Sequence, residues 1–299
     1  MAAVVEGRQE CFIDEAVAAG VASRSNCTAN VTIFDTDTRL EPISPTRFSG
    51  SISKRWWIER APNGGYVAAI LLRSLVMTLG DPSRPPRSLT VHYLDPLKEG
   101  SCEVQTAVER SGRALTTLSA RITQDERAGA TALGAFSATR AGMEFSDLVM
   151  PDVPAPQASR PWSLSDGPPV PIVERWETRI AAGGGPLAGT PEASVAVWMR
   201  LPEPRVTDAL VVAAVTDAWF PPVYSRATRP VATPTIDLTI HFRASLPLPA
   251  ATADAWTLGV FRTRLAKEGF AEVDGELWSE DGVLLAQSRQ LSLCLLLEK

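Results

Sequence analysis

The chain has 299 residues, of which 45% are hydrophobic and 21% are charged. These fractions are ordinary for a folded globular protein and exclude a disordered, collagen-like or coiled-coil chain. Because 34 acidic residues face 29 basic ones, the formal net charge is −5, and nucleic acid is not an expected partner.

Residues 1–30 are small, polar and weakly patterned, and we predict that they form a poorly ordered N-terminal extension. They contain no basic segment followed by an apolar one, so no secretory signal is expected. No apolar run reaches the roughly 18 residues of a membrane span. The four cysteines form no Cys-x-x-Cys pair and only two histidines are present, so we expect no bound metal. Together these features predict a cytoplasmic protein.

The first half of the chain predicts one buried helix followed by strands. The helix runs from Gly64 to about Leu79, because apolar residues fall on all its sides, and Asn63 stands where an N-cap belongs. The sequence Leu-Thr-Val-His-Tyr at 89–93 alternates as a strand does, and a glycine-bearing turn at 111–113 and a final strand at 132–138 follow.

A dense set of prolines at 151–172 has the composition of a linker and divides the chain into halves of similar size. We therefore predict one folded unit over residues 31–150 and a second over residues 173–299.

The second half repeats the pattern of the first. A helix is predicted from about residue 208 to residue 219, where two prolines stop it. The strand Leu-Thr-Ile-His-Phe at 238–242 matches the one at 89–93, and the two histidines lie 149 residues apart. A glycine-bearing turn at 267–269, a hairpin at Asp281-Gly282 and a last strand at 286–292 complete the repeat.

Comparing the halves indicates that they differ in polarity at a few positions. An offset of 154 residues places Phe136 opposite Gln290, and the two helices place an aliphatic residue near Leu72 opposite Asp217. A buried helix wrapped by a long antiparallel sheet, present twice, predicts an α+β fold of two tandem hotdog units, a double hotdog.

Three motifs carry a family resemblance. They are Arg-Trp-Trp at 55–57 with Pro-Asn-Gly-Gly-Tyr at 62–66, Thr-Ile-Asp-Leu-Thr-Ile-His-Phe-Arg at 235–243, and Asp-Gly-Val-Leu-Leu-Ala at 281–286 followed by Gln290. In their order and spacing the chain resembles the double-hotdog thioesterases of the acyl-CoA thioesterase II type. The resemblance implies an acyl-CoA substrate and no cofactor. It also implies a water molecule held by Asp217, Thr235 and Gln290.

These residue types suit hydrolysis of a thioester. Asp217, late in an apolar helix, is expected to have a raised pKa and to act on the attacking water. Gly64, Gly65 and Tyr66 open the first-half helix, and we predict that their N–H groups bind the oxyanion and the substrate carbonyl. No strong nucleophile is evident, so we expect direct hydrolysis without an acyl-enzyme.

Other functions stay open at this point. A non-catalytic acyl-CoA or acyl-carrier binding protein has the same fold, and an enoyl-CoA hydratase is a second alternative because Asp237 precedes His241 by four residues. No Gly-x-Ser-x-Gly motif occurs, which argues against an α/β-hydrolase. The matching positions of His92 and His241 favour a structural role for both. By analogy with other hotdog proteins, a homodimer or higher homo-oligomer is expected.

Overall fold

The computed structural model describes residues 31–162 and 170–297. The predicted extension at residues 1–30 lies outside the described residues. The first half contains helices α1 (Ile33–Asp37) and α2 (Gly64–Leu79). Its strands are β1 (Leu40–Ser44), β2 (Arg47–Ile52), β3 (Trp57–Ile58), β4 (Ala61–Pro62), β5 (Pro86–Tyr93), β6 (Gly100–Ser111), β7 (Leu115–Gln124) and β8 (Arg127–Ser137).

The second half contains helices α3 (Ala209–Val215) and α4 (Val223–Arg226). Its strands are β9 (Arg160–Pro161), β10 (Glu177–Gly183), β11 (Ala193–Arg200), β12 (Val231–Ala232), β13 (Thr235–Phe242), β14 (Thr257–Thr263), β15 (Ala266–Lys267), β16 (Phe270–Ser279), β17 (Leu284–Leu293) and β18 (Leu295–Leu296). Short 3₁₀ turns lie at Lys54–Trp56, Pro156–Ala158 and Pro171–Arg175.

Fourteen of the described strands form one antiparallel sheet in the order β1-β2-β6-β7-β8-β5-β13-β17-β16-β14-β11-β10-β9, with β15 paired to β16. The two halves meet where β5 pairs with β13, and at the centre of this seam Thr90 faces Thr239 with their hydroxyl oxygens 3.1 Å apart. Helix α2 packs against strands β5 to β8 and against helix α3. The fold is therefore the predicted double hotdog.

Helix α2 is the buried helix that the sequence predicts. The Asn63 side chain accepts a hydrogen bond from the Tyr66 N–H, and Gly80 ends the helix with a φ of 60°. Such a left-handed C-cap favours glycine. Residues on all sides of the helix are buried, including Val67, Ile70 and Leu75. The helix forms the centre of the first-half core.

Helix α3 is shorter than predicted, because it ends at Val215 rather than near residue 219. Asp208 caps its start by accepting bonds from two backbone N–H groups. At its end the Thr216 hydroxyl donates to the Ala213 carbonyl, and the N–H of Asp217 donates to the carbonyl three residues back. This tightened last turn releases the chain from the helix.

The two helices touch backbone to backbone. A Cβ atom added at Gly65 would lie 2.4 Å from the carbonyl oxygen of Ala214, and one added at Gly64 would lie 2.9 Å from the Asp217 carboxylate. Close approach of the Ala214 backbone thus requires glycine at Gly65, whereas a side chain at Gly64 would displace the Asp217 carboxylate and the Tyr93 ring. The result is that the first turn of α2 lies directly against the residues that follow α3.

The strand register corrects the alignment of the halves. Phe136 pairs with Pro86 in the first half, and Ser292 pairs with Thr235 in the second, each pair lying just before a register irregularity. By the same register Gly134 corresponds to Gln290, because they pair with Leu89 and Leu238. The offset of 154 residues was therefore wrong by two, and Phe136 corresponds to Ser292.

The helix comparison is confirmed by the two N-caps. Leu72 lies nine residues after Asn63, and Asp217 lies nine residues after Asp208. Leu72 is fully buried in the first-half core. The second half therefore carries a carboxylate at the place where the first half carries a core leucine.

The described part of the proline-rich segment packs against the outer face of the second-half sheet. Pro156 is buried, and the Trp198 indole donates to the Pro154 carbonyl over 2.9 Å. An apolar cluster that includes Trp256 and Trp278 lies on this face, with Val153 packed against it. Its proline composition gave no sign of this cover.

Candidate active site

Asp217 lies at the junction of the two halves, two residues beyond α3 and against the N-terminus of α2. The Asn63 amide donates both to the Asp217 carboxylate, 2.9 Å from Oδ2, and to the Asp217 backbone carbonyl, over 2.7 Å. The Gly65 N–H donates to the same Oδ2 over 3.1 Å. A carboxylate of the second half is thus held by the first turn of a first-half helix.

This environment shifts the pKa of Asp217. The pKa is raised from 3.8 to about 6, and burial is the largest cause of the rise. Hydrogen bonds oppose this rise because they favour the charged form; they come from the N–H groups of Gly65 and Gly64 and from the side chains of Gln290 and Asn63. The carboxylate is therefore ionised at neutral pH but basic enough to accept a proton, which is what a general base requires.

Thr235 and Gln290 lie beside Asp217, on neighbouring strands β13 and β17. The Thr235 hydroxyl donates to the Gln290 Oε1 over 3.3 Å. Gln290 is buried, with 4% of its surface exposed, and its side chain hydrogen-bonds with Asp217. The structure thus brings together the three residues that the sequence singled out.

Ser292 is a fourth polar residue on this face, and sequence reasoning missed it. It pairs with Thr235 and stands two residues after Gln290, so the three side chains share one side of the sheet. Ser292 is 1% exposed, and its hydroxyl lacks a hydrogen-bond partner among the described residues. The sequence contained a signal for it, because Ser292 lies two residues after Gln290 and alternation along a strand places both on one face.

The predicted oxyanion groups are engaged in other contacts. The Tyr66 N–H donates to the Asn63 Oδ1, and the N–H groups of Gly65 and Gly64 are directed to the Asp217 carboxylate. The Tyr66 side chain is fully buried, and its hydroxyl donates to the Asp37 carbonyl. The Tyr66 side chain therefore belongs to the core, and the substrate-binding role of this residue stays a prediction.

Tyr93 was not expected at this site. Its hydroxyl donates to the Gly64 carbonyl over 2.8 Å, and its ring lies against the Gly64 backbone. Burial raises the pKa of Tyr93 well above 10, and the charges of Asp217 and Asp237 add to the rise. Tyr93 is the last residue of the strand motif at 89–93, in which only the histidine was considered from the sequence.

The two histidines lie away from Asp217. His92 and His241 are exposed on the outer face of β5 and β13, since their strand neighbours Val91 and Ile240 point inward and are buried. Asp237 pairs with His92 and belongs to the same outer row. The Asp and His positions of the hydratase alternative therefore do not form the site described above.

An aromatic cluster follows Asp217 in the chain. Trp219 lies edge-on to Trp162, with ring centres 5.2 Å apart, and Phe220 lies 4.7 Å from Trp219. All three rings are partly exposed, whereas Trp56 and Trp57 are buried. Trp219 therefore keeps exposed surface close to the carboxylate in the chain.

The described part of the chain comprises residues 31–162 and 170–297. Among those residues no group of three or more His, Cys, Asp or Glu side chains is arranged to hold a metal ion. None of the helices within 31–162 and 170–297 is long and apolar enough to cross a membrane.

Solved structures of similar fold cover nearly the whole chain. A hotdog-fold protein of unknown function from Alicyclobacillus acidocaldarius is 29% identical, with a TM-score of 0.79, and the alignment covers 89% of this chain and 98% of that one. A protein assigned as a thioesterase II from Thermobifida fusca is 23% identical, with a TM-score of 0.76 and coverage of 88% and 97%. An acyl-CoA thioesterase II from Mycobacterium marinum is 22% identical, with a TM-score of 0.71 and coverage of 89% and 99%. The last two matches show the fold alone.

Family comparison is more specific. No curated protein matches the sequence significantly. The model of the acyl-CoA thioesterase N-terminal domain matches residues 52–139, and that of the acyl-CoA thioesterase C-terminal domain matches residues 151–294. Because the paired domain models match most of its length in the expected order, this chain belongs to the acyl-CoA thioesterase family and is a thioester hydrolase with a double-hotdog fold.

Proposed function

We propose that this chain hydrolyses acyl-CoA to the free acid and CoA by direct attack of water, with Asp217 as the general base. The observation that carries the proposal is the grouping of Asp217, Thr235 and Gln290 at the junction of the halves. A carboxylate whose pKa lies near 6 stands beside an amide and a hydroxyl, which are groups that can orient a water molecule.

In the proposed reaction, Asp217 accepts a proton from the water while the water oxygen bonds to the thioester carbonyl carbon. The carbonyl electrons move onto oxygen and return as the C–S bond breaks. The proton held by Asp217 then passes to the departing sulfur, so one water is consumed and an acid and a thiol are released. Thr235 and Gln290 hold the water during attack.

The N-terminus of α2 stabilises the negative charge throughout this sequence. Its N–H groups at Gly64 and Gly65 face the Asp217 carboxylate before reaction. When Asp217 takes up the proton, the negative charge moves to the substrate oxygen while remaining close to the same positive end of the helix dipole. In this proposal the helix therefore stabilises the oxyanion through the positive end of its dipole.

The partly exposed rings beside Asp217 are proposed to contact the acyl group. Trp219 and Phe220 follow the carboxylate directly, and Trp162 packs against both. Such rings offer a large apolar surface at little cost in conformational entropy.

The decisive experiment measures free-thiol release from acyl-CoAs of C2 to C18 and from aromatic acyl-CoAs, comparing wild type with Asp217→Asn. We expect wild-type turnover with an acidic limb near pH 6 and a loss of about 10³-fold in kcat for the variant. Asp281→Asn is a matched control, because Asp281 is exposed in a hairpin turn where asparagine fits equally well.

Three outcomes would contradict the proposal. Turnover that survives in Asp217→Asn removes the general base. Hydration of crotonyl-CoA without thiol release indicates a hydratase, and binding of acyl-CoA without any turnover indicates a binding protein. A single turnover in ¹⁸O-labelled water also tests direct attack, which places one labelled oxygen in the acid. An unlabelled first acid would contradict it, because it would show that water opened an acyl-enzyme anhydride at the Asp217 carbonyl.

A further inference from the structure

We infer that Asn63 is a positioning residue for hydrolysis, which fixes the Asp217 of the other half at the start of α2. This inference rests on the proposed function, since it assigns Asn63 a part in the work of Asp217. Asn63 was predicted only as an N-cap, a role that it also fulfils.

The contacts of Asn63 divide between the two halves. Its Oδ1 accepts from the Tyr66 N–H over 3.0 Å, and its own backbone N–H donates to the Trp56 carbonyl over 2.8 Å. Its Nδ2 donates across the junction to two oxygens of Asp217. With 2% of its surface exposed, Asn63 is held on every side and presents a rigid amide to Asp217.

The position of Asp217 needs such support. Helix α3 has ended at Val215, so Asp217 lies outside the helix and depends on other contacts to fix its backbone and its carboxylate. Asn63 donates to the Asp217 carbonyl and, with the same amide, to its carboxylate. A single side chain therefore caps the first turn of α2 and binds the residue that follows α3.

The surroundings of Asp217 make this contact important for its charge. From α2 come the N–H groups at its first turn, and from β17 comes the Gln290 amide. Tyr93 of β5 also faces Asp217, but its hydroxyl donates to the Gly64 carbonyl. The charge of Asp237 on β13, like that of Asp217, raises the pKa of Tyr93. Without the Asn63 donor the Asp217 carboxylate would be stabilised less, so the pKa of Asp217 should rise further.

Two variants separate positioning from capping. Serine and aspartate are as good as asparagine at an N-cap, because each offers an oxygen to the N–H three residues on. Neither offers the Nδ2 donor to Asp217. Asn63→Ser and Asn63→Asp should therefore keep the N-cap of α2 and yet disturb the carboxylate.

For Asn63→Ser we expect kcat to fall by about 10- to 100-fold with KM little changed, since the residue is buried away from substrate. The acidic limb of kcat should move above its wild-type position near pH 6. Asn63→Asp should move the limb further, because two carboxylates in contact share one proton and titrate as a pair.

A second measurement does not depend on activity. Carbon-13 labelling of the aspartate γ-carboxyl groups allows Asp217 to be titrated by NMR, with its signal assigned by loss in Asp217→Asn. We expect its midpoint to rise in Asn63→Ser relative to wild type. If wild type releases no thiol while this shift occurs, the proposed hydrolysis fails on its own evidence and the Asp217 contact is still measured.

The inference is overturned if both Asn63 variants keep the wild-type kcat, acidic limb and carboxyl midpoint. Asn63 would then be an N-cap and nothing more. A fall in kcat accompanied by unchanged pH profiles and a lower unfolding temperature would likewise reduce its role to that of a structural residue.

Discussion

The two hotdog halves differ most in their helices. Helix α2 spans 16 residues and is buried over most of its length, whereas α3 spans seven and stops. Where the first half continues with Leu72, the second half has left the helix and presents Asp217. The difference shows that the Asp217 carboxylate reaches the junction because the second-half helix ends early, whereas the first-half helix continues.

The strands repeat this contrast. The first half has Pro86, Gly134 and Phe136 at the positions where the second half has Thr235, Gln290 and Ser292. Phe136 is fully buried, and its ring and the Leu75 side chain occupy the space above Gly134. Apolar packing in one half thus corresponds to three polar side chains in the other.

The largest expected effect comes from adding a methyl group where the two helices are in contact. Gly65→Ala places a methyl group against the Ala214 carbonyl, so we expect a loss of about 3 kcal/mol in the free energy of unfolding, together with loss of activity. Chemical denaturation measures the change. Gly142→Ala is the control, since open space surrounds that position. Equal stability of the two variants would mean that the helices separate easily.

The second largest effect is expected from replacing Gln290 on β17. For Gln290→Ala we expect kcat to fall about 100-fold, because the water loses an orienting amide and Asp217 loses a donor. Gln287→Ala lies on the same strand but on the opposite face, and it should keep wild-type turnover. Similar kcat values for both variants would place Gln290 outside the reaction.

The raised pKa of Asp217 also makes stability depend on pH. The folded protein holds this proton more tightly than the unfolded chain, so stability falls as pH rises from about 4 to about 6 and stays lower above that. Because Asp217 is only partly buried, we expect the free energy of unfolding to fall by about 2 kcal/mol over this range. Urea titrations at several pH values should show the decline in wild type and a flatter profile in Asp217→Asn.

The smallest expected effect concerns Ser292. Its buried hydroxyl lacks a partner among the described residues, so Ser292→Ala should raise the free energy of unfolding by about 1 kcal/mol. Ser288→Ala, on the same face of β17 but less buried, is the control and should change stability little. A destabilised Ser292→Ala would show that the hydroxyl is hydrogen-bonded in solution.

Local patterns predicted most of the fold. The limits of α2, its Asn63 cap and the hairpin at Asp281-Gly282 follow from periodicity and capping, which act between near neighbours in the chain. The grouping of Thr235 and Gln290 with Asp217 came from the family resemblance, and the geometry agrees with it.

Contacts between distant segments could not be predicted in this way. Asn63 lies 154 residues before Asp217 and binds it just beyond the end of α3, so no local signal predicts this contact. For the same reason the Gly65 N–H looked free for an oxyanion, although a carboxylate from the other half occupies it. The offset between the halves failed because strand pairing, and not sequence likeness, sets the register.

The seam at Thr90 and Thr239 has a consequence for how this molecule can change. As separate chains, the halves would each expose an unpaired strand edge, which is a hazard for aggregation. Tethered in one chain, they pair at an effective concentration set by the connection, so dilution that separates two free subunits leaves the pairing intact. A substitution in one half is also not copied into the other. Polar residues can therefore replace core residues in one half while the other half keeps its apolar packing and stabilises the fold.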